Sequence, residues 1–212
     1  MQTPLKFLLP GRWWRVPLSP PEAVRKSAAA LAQEVFGRSD QLATLRAELR
    51  EQVTTSASQA ERAGAADFYF AREIVPGAPV PMVLGVYRPE LPPRLSQRAG
   101  STAAADSLAA MLASLDEDAK VTCWTQADMS VARDVRLLRP AQGDEQPPLL
   151  RADYWIVGSA QPQTYVMSFS APMTWPGLGE ALLDLTDAVV ATVEWANESQ
   201  VRTEGRRRGA AR

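Results

Sequence analysis

Histidine is absent from all 212 residues, and cysteine occurs once, at Cys123. The first absence excludes Ser-His-Asp and Cys-His nucleophilic machinery, an imidazole general base, and the usual zinc and haem ligand sets. The second excludes an intrachain disulfide, a CxxC redox pair, a cysteine-based zinc site and an iron–sulfur cluster. Long apolar runs are missing too. Before Pro10 the only such run is Phe7-Leu8-Leu9, whereas a secretory core needs about 7–15 residues and a membrane span about 20. The chain is therefore expected to begin at Met1, to lie in the cytoplasm and to make no membrane insertion. Charge of one sign is also lacking: 23 basic residues face 24 acidic ones, for a net charge of −1. That balance gives no broad attraction for nucleic acid or an anionic membrane. No cofactor and no metal are expected, and an enzyme would be confined to carboxylate, Lys, Tyr, Ser or Thr chemistry.

What is present is ordinary for a folded domain, with 46% hydrophobic and 22% charged residues. The length is compatible with one α+β domain over residues 1–195. From Ala196 onward the composition is polar and Gly/Arg-rich, ending Gly205-Arg-Arg-Arg-Gly209, and reads as a disordered tail.

Gly11 to Leu18 is rich in β-formers and leads into Ser19-Pro20-Pro21-Glu22, a helix start with Ser19 as cap and Glu22 completing a capping box. Val24, Ala28, Leu31 and Val35 mark one helical face up to Gly37. Leu42, Leu45, Leu49, Val53 and Ala60 mark a second, towards Gly64. The two helices are expected to pack as a hairpin or to be one helix bent at Gly37. The pattern then changes to strand. Phe68–Val75 and Val80–Tyr87 read as one hairpin, and Lys120–Gln126 with Met129–Leu138 as a second. Leu150–Gly158 and Thr164–Ala171 make a third strand pair, with an Ala/Leu-rich helix over Thr102–Leu115 between the first two hairpins. A sheet of about six mostly antiparallel strands results. Leu178, Leu182, Leu185, Val189 and Val193 define an amphipathic helix from about Pro176 to Trp195, expected to lie on that sheet.

Candidate chemistry is sparse. Gly177-Leu-Gly179 lacks the third glycine of a dinucleotide fingerprint and reads as helix entry after Pro176. Asp116-Glu117-Asp118 lacks the turn glycine and distal Glu of a calcium loop and reads as a solvated turn. Glu180, Asp184 and Asp187 could pair as carboxylates, but they stand opposite an apolar stripe, as on any surface helix. Cys123 sits in a strand and reads as an inert thiol. The tail arginines could contact phosphate, but they read as solubilising. The tryptophans stand out: Trp124 alternates with Thr122 and Gln126, and Trp155 with Arg151 and Asp153, so both indoles should point away from the main core. Either they mark a binding surface, or the N-terminal helices cover that face as the outer layer of an α/β/α sandwich.

The ending Tyr165-Val-Met-Ser-Phe-Ser-Ala-Pro172, followed by the helix Leu182–Trp195 with Asp187, Ala188, Thr192 and Trp195, resembles the closing strand and helix of the PsbP-like fold superfamily. Leu9-Pro-Gly-Arg-Trp-Trp14 is similar to its opening strand. The resemblance implies an antiparallel sheet flanked by helices, and protein binding rather than catalysis. Members include extrinsic photosystem subunits, a Ran-release factor, secreted or lipid-anchored bacterial proteins, and chaperones of type VI secretion effectors.

The expectation is a non-enzymatic protein-interaction module of a bacterial cytoplasm, such as an adaptor or chaperone, with Trp124, Trp155 and Arg151 as partner-binding residues. The partner is another protein, a second copy of the chain included, and not nucleic acid. The rival is a small-ligand binder or enzyme using carboxylate and Arg chemistry between sheet and helices. A deep cavity with converging Asp, Glu or Arg side chains favours the rival, and a packed, dry interior opposes it.

Overall fold

The computed structural model describes residues 5–74, 81–90, 102–115, 120–140, 146–158, 164–174 and 177–195. The acidic trio at 116–118 and the Arg-rich segment 196–212 lie outside them. Elements follow in the order β1 (Leu5–Lys6), β2 (Arg12–Val16), α1 (Pro21–Phe36), a 3-10 turn (Asp40–Leu42), α2 (Ala43–Arg62), β3 (Ala65–Glu73), β4 (Val83–Tyr87), α3 (Thr102–Leu115), β5 (Lys120–Gln126), β6 (Met129–Leu138), β7 (Leu149–Gly158), β8 (Thr164–Pro172), α4 (Leu178–Ala191) and β9 (Glu194–Trp195). The architecture is α+β. Seven antiparallel strands form one sheet in the order β2-β3-β4-β8-β7-β6-β5, and β1 pairs with β9 in a small ribbon.

Both faces of the sheet are covered, which explains its apolar strands. On one face α4 buries Leu178, Leu182, Val189 and Val190 against Leu84, Val86, Met167, Phe169, Tyr154 and Ile156. On the other, α1 and α2 form a hairpin whose Val24, Ala28, Leu31, Val53 and Ala57 pack on Val16, Phe68 and Phe70 at the β2–β3 end. At the opposite end of that second face, α3 seats Leu108 and Leu112 on Ala132 and Val157.

Several details differ from the sequence pattern. Helix α1 begins at Pro21 with Pro20 as its N-cap, and no side chain caps it. Val35 and Leu45, each expected on an apolar stripe, are 44% and 43% exposed. They lie near the hairpin bend, beyond Glu34, which already reaches the sheet end to bind Arg72 and Arg12. Helix α4 stops at Ala191, because the Thr192 hydroxyl donates to the Val189 carbonyl at 2.7 Å while accepting from the Leu8 amide at 2.9 Å. Val193 to Trp195 can then leave the helix and pair with β1.

Gly11 introduces β2 with φ +76°, and the register slips between Arg12 and Trp13. A Cβ at Gly11 would lie 2.2 Å from the Glu73 carbonyl oxygen and 2.7 Å from that of Ile74, both backbone atoms with little freedom to yield. Gly11→Ala is therefore expected to cost about 2–4 kcal/mol through left-handed strain and overlap together. The check is thermal denaturation, and a midpoint equal to that of the parent chain would contradict this account of the bulge.

Candidate functional site

The helices on the second face do not meet. The gap between α2 and the cluster beneath α3 exposes parts of β4, β8 and β7, and the ladder registers fix which side chains floor it. One cross-strand row reads Val16, Phe68, Gly85, Ser168, Asp153, Asp134; the next reads Trp14, Phe70, Val83, Ser170, Arg151, Arg136. A third runs Tyr87, Val166, Trp155, Ala132, Cys123. Val16, Phe68, Trp14 and Phe70 sit under α1 and α2, and Ala132 and Cys123 under α3. The central members of these rows floor an open trough of about 590 Å³, walled by Gln52, Ser56, Gln59 and Ala60 of α2 with Ala63 just past its end, and bounded on the other side by Trp155. From Leu149 to Trp155 the floor spans seven residues, six steps of about 3.3 Å or about 20 Å in all. Across β4, β8 and β7 it is about 10 Å wide.

Alternation places Arg151, Asp153 and Trp155 side by side along β7, facing the trough. The Arg151 guanidinium donates through Nε to Asp153 at 3.0 Å. Arg151 remains 44% exposed while Asp153 is largely covered. Behind them the arrangement repeats on β6: Arg136 holds Asp134 at 2.6 Å, and Asp134 is 2% exposed. Asp134 and Asp153 face each other across the β6–β7 ladder, as do Arg136 and Arg151. The result is a compact, electrically neutral quartet, two carboxylates each held by an arginine two residues along its own strand. Tyr87 lies down over Gly85, where an added Cβ would meet its ring at 2.8 Å. Burial pushes the Tyr87 hydroxyl above its ordinary pKa, with Arg151 opposing and Asp153 adding to the rise. The floor thus offers fixed donors and acceptors with an aromatic at one end, and Leu138, Leu149 and Pro172 at the other.

The three residues nominated from sequence do not converge. Arg151 and Trp155 line the trough, but Trp124 is on the opposite face: its neighbours along the row are Val131, Ile156 and Tyr165. There the indole is half-buried and meets Tyr154 edge-to-face at 6.3 Å. Gln126, on the same side of β5, donates to the carbonyls of Val190 at 3.3 Å and Ala191 at 2.9 Å. The cover also differs from the expected N-terminal helices: Trp124 belongs to the cluster beneath α4, and Trp155 packs against α3.

Asp187 is more than a solvated charge. It accepts from the Tyr154 hydroxyl at 2.6 Å and pairs with Arg133, while that hydroxyl also contacts Thr186 Oγ1 at 2.7 Å. Burial, reinforced by the hydrogen bond to Asp187, raises the Tyr154 pKa strongly. This network fastens α4 to the sheet. Cys123 stands 3.7 Å from Asp106, and burial with that carboxylate raises its thiol pKa, which makes it a poor nucleophile.

Sequence reasoning missed Ser168 and Ser170 as floor residues and the polar row Gln52, Ser56, Gln59 as a wall. The signals were there, since spacings of four and three put the α2 residues on one stripe and Ser-Phe-Ser alternates about a buried Phe169. Among the described residues no group of three or more His, Cys, Asp or Glu side chains could hold a metal ion, and no helix is long and apolar enough to cross a membrane. The chain matches no family model, no curated protein and no solved structure.

Proposed function

We propose that this chain is a non-enzymatic binding module that holds an extended segment of another protein in the trough between α2 and β7. The observation that carries this reading is the alignment of Arg151, Asp153 and Trp155 along a single open floor about two strand spacings wide. A paired Arg and Asp present donor and acceptor together, which suits the amides and polar side chains of an extended peptide and selects against a partner of strong single charge. Trp155 supplies the rigid aromatic anchor on which such interfaces depend. A trough about 20 Å long accommodates about six residues of an extended chain. The PsbP-like resemblance of Tyr165–Pro172 and Leu182–Trp195 agrees with protein binding, and a bacterial cytoplasm remains the proposed setting.

The test is affinity purification from native lysate with mass spectrometry, using the parent chain, Trp155→Ala, Arg151→Ala and Trp124→Ala. One partner is expected with the parent and with Trp124→Ala, reduced at least about tenfold by either trough substitution, as loss of a central interface anchor implies. Circular dichroism confirms that each variant is folded. Equal capture by all four proteins would remove the trough from the interface.

A second reading is favoured by the 590 Å³ volume, with the Arg151–Asp153 pair in its lining, a size within the about 300–1,000 Å³ of small-molecule sites. Native mass spectrometry after incubation with a metabolite extract separates the two. A bound small molecule lost with Arg151→Ala supports the second, and an extract that adds no mass leaves the peptide reading standing.

A further inference from the structure

The two edges of the seven-stranded sheet are built differently. Edge strands expose unpaired amides and carbonyls, and monomeric proteins protect them with charge, proline, bulges or short length. Strand β2 carries all of these: Arg12 and Arg15 within five residues, a register slip after Arg12, and Pro10 and Pro17 on either side. Strand β5 carries almost none. Its seven residues, Lys120-Val-Thr-Cys-Trp-Thr-Gln126, pair with β6 in unbroken register, contain no proline, and bear one charge, at the first position. Its other side has no partner strand among the described residues.

We infer that β5 is a homodimerisation edge, joining a second copy of this chain in an antiparallel pair centred on Cys123. In that register Cys123 faces Cys123 of the second copy, Thr122 faces Trp124, Val121 faces Thr125, and Lys120 faces Gln126. The strand's only charge therefore never meets itself, and each half-buried Trp124 gains a β-branched neighbour, a favourable cross-strand combination. Antiparallel edge pairing relates the copies by a two-fold axis perpendicular to the sheet, so the sheet continues through fourteen strands with both troughs on one side. The helices leave room for this. Helix α3 lies over β5 and β6, in a cluster where Leu108 and Leu112 join Val121, Cys123 and Ala132; with each helix axis over the midline of its β5–β6 pair, the two α3 helices would stand about 10 Å apart, two strand spacings, at the about 8–10 Å of packed helix axes. The contact Asp106–Cys123 turns the side of α3 bearing Asp106, Ala110 and Ala113 towards this edge, so mostly small side chains face the second copy. The Asp106 pair is the one like-charge approach the arrangement creates among the described residues, and added salt is expected to tighten association.

Sedimentation equilibrium of the intact chain tests the inference. The expected mass is twice that of the 23.1 kDa chain, rising to full dimer on addition of salt. The double variant Thr122→Lys and Thr125→Lys changes two exposed positions and is expected to halve the mass while leaving the circular dichroism spectrum unchanged. Directly opposed residues have Cα atoms about 4.5–5.5 Å apart, within disulfide range. Mild oxidation with copper phenanthroline should therefore link the parent chains through Cys123, and should not link the double variant. A parent chain that stays monomeric up to about millimolar concentration, or a dimer that survives in the double variant without a Cys123 cross-link, overturns the assignment. Neither outcome bears on the trough, which is probed by Trp155 and Arg151 alone.

Discussion

Replacing Tyr154 with alanine lowers the unfolding free energy by about 3–5 kcal/mol, the range for removing a large buried aromatic ring. The ring is 0% exposed and stands edge-to-face to Trp124 and to Phe169, the latter at 5.7 Å. Its loss opens a void at the centre of the α4 face. The hydroxyl contributes separately. Tyr154→Phe keeps the ring but leaves Thr186 and Asp187 without its hydrogen bonds, and is expected to cost about 1–2 kcal/mol. Equilibrium urea unfolding followed by far-ultraviolet circular dichroism measures both, and the phenylalanine variant keeps the comparison usable should the alanine variant not fold. A Tyr154→Phe protein as stable as the parent would mean that the Tyr154–Asp187 contact does not fasten α4.

Stability is expected to collapse on the alkaline side. All four tyrosines, Tyr69, Tyr87, Tyr154 and Tyr165, have raised pKa values, burial being the leading cause in each. A tyrosine whose folded-state pKa exceeds its unfolded value contributes stability that is complete below the unfolded value and drains away as pH climbs above it. The loss therefore begins near pH 10, where unfolded tyrosines ionise. Tyr154 alone withdraws about 1.4 kcal/mol per pH unit, or about 2 kcal/mol by about pH 11.5. Tyr165, 2% exposed, acts in the same direction, and the half-buried Tyr69 and Tyr87 add smaller, solvent-screened effects. Urea midpoints recorded from about pH 8 to about pH 11.5 should fall steeply above pH 10, and the fall should be shallower in Tyr154→Phe. An unchanged slope in that variant would assign the alkaline loss to other groups.

How far the sequence carried the fold depends on whether the deciding interactions are local. Helix α3 and the β5–β6 hairpin lie at the residues their patterns indicate, because a helical Ala/Leu run and a two-residue connection at Ala127-Asp128 are settled by near neighbours. Helix α4 was drawn too long because its end is set by Leu8, 184 positions away, through Thr192. The strand alternation around Trp124 was also correct, as Thr122, Trp124 and Gln126 do share a side. What alternation cannot say, in a sheet covered on both faces, is which side meets which helix. Trp124 and Trp155 were read together for that reason, and the ladder registers separate them. The trough was half legible: Arg151 and Trp155 carry the right parity, but the walls come from α2, and nothing in β7 encodes how close that helix stands.

The position of the trough has a consequence for how the chain comes apart. Strand β4 closes locally with β3, and β5 through β8 form a meander of local pairings; within the seven-stranded sheet the β4–β8 ladder joins these halves, matching residues 83–87 with residues 166–170, and outside it the short β1–β9 ribbon ties Leu5–Lys6 to Glu194–Trp195. The long-range β4–β8 seam carries a large loop-closure cost and forms late in the assembly of the main sheet. The trough floor straddles it, with Tyr87 on one bank and Arg151 on the other. Any occupant touching both banks acts as a staple across the join and stabilises the native state in proportion to the logarithm of its concentration relative to its Kd. A partner released from the trough leaves the chain easiest to open along that line.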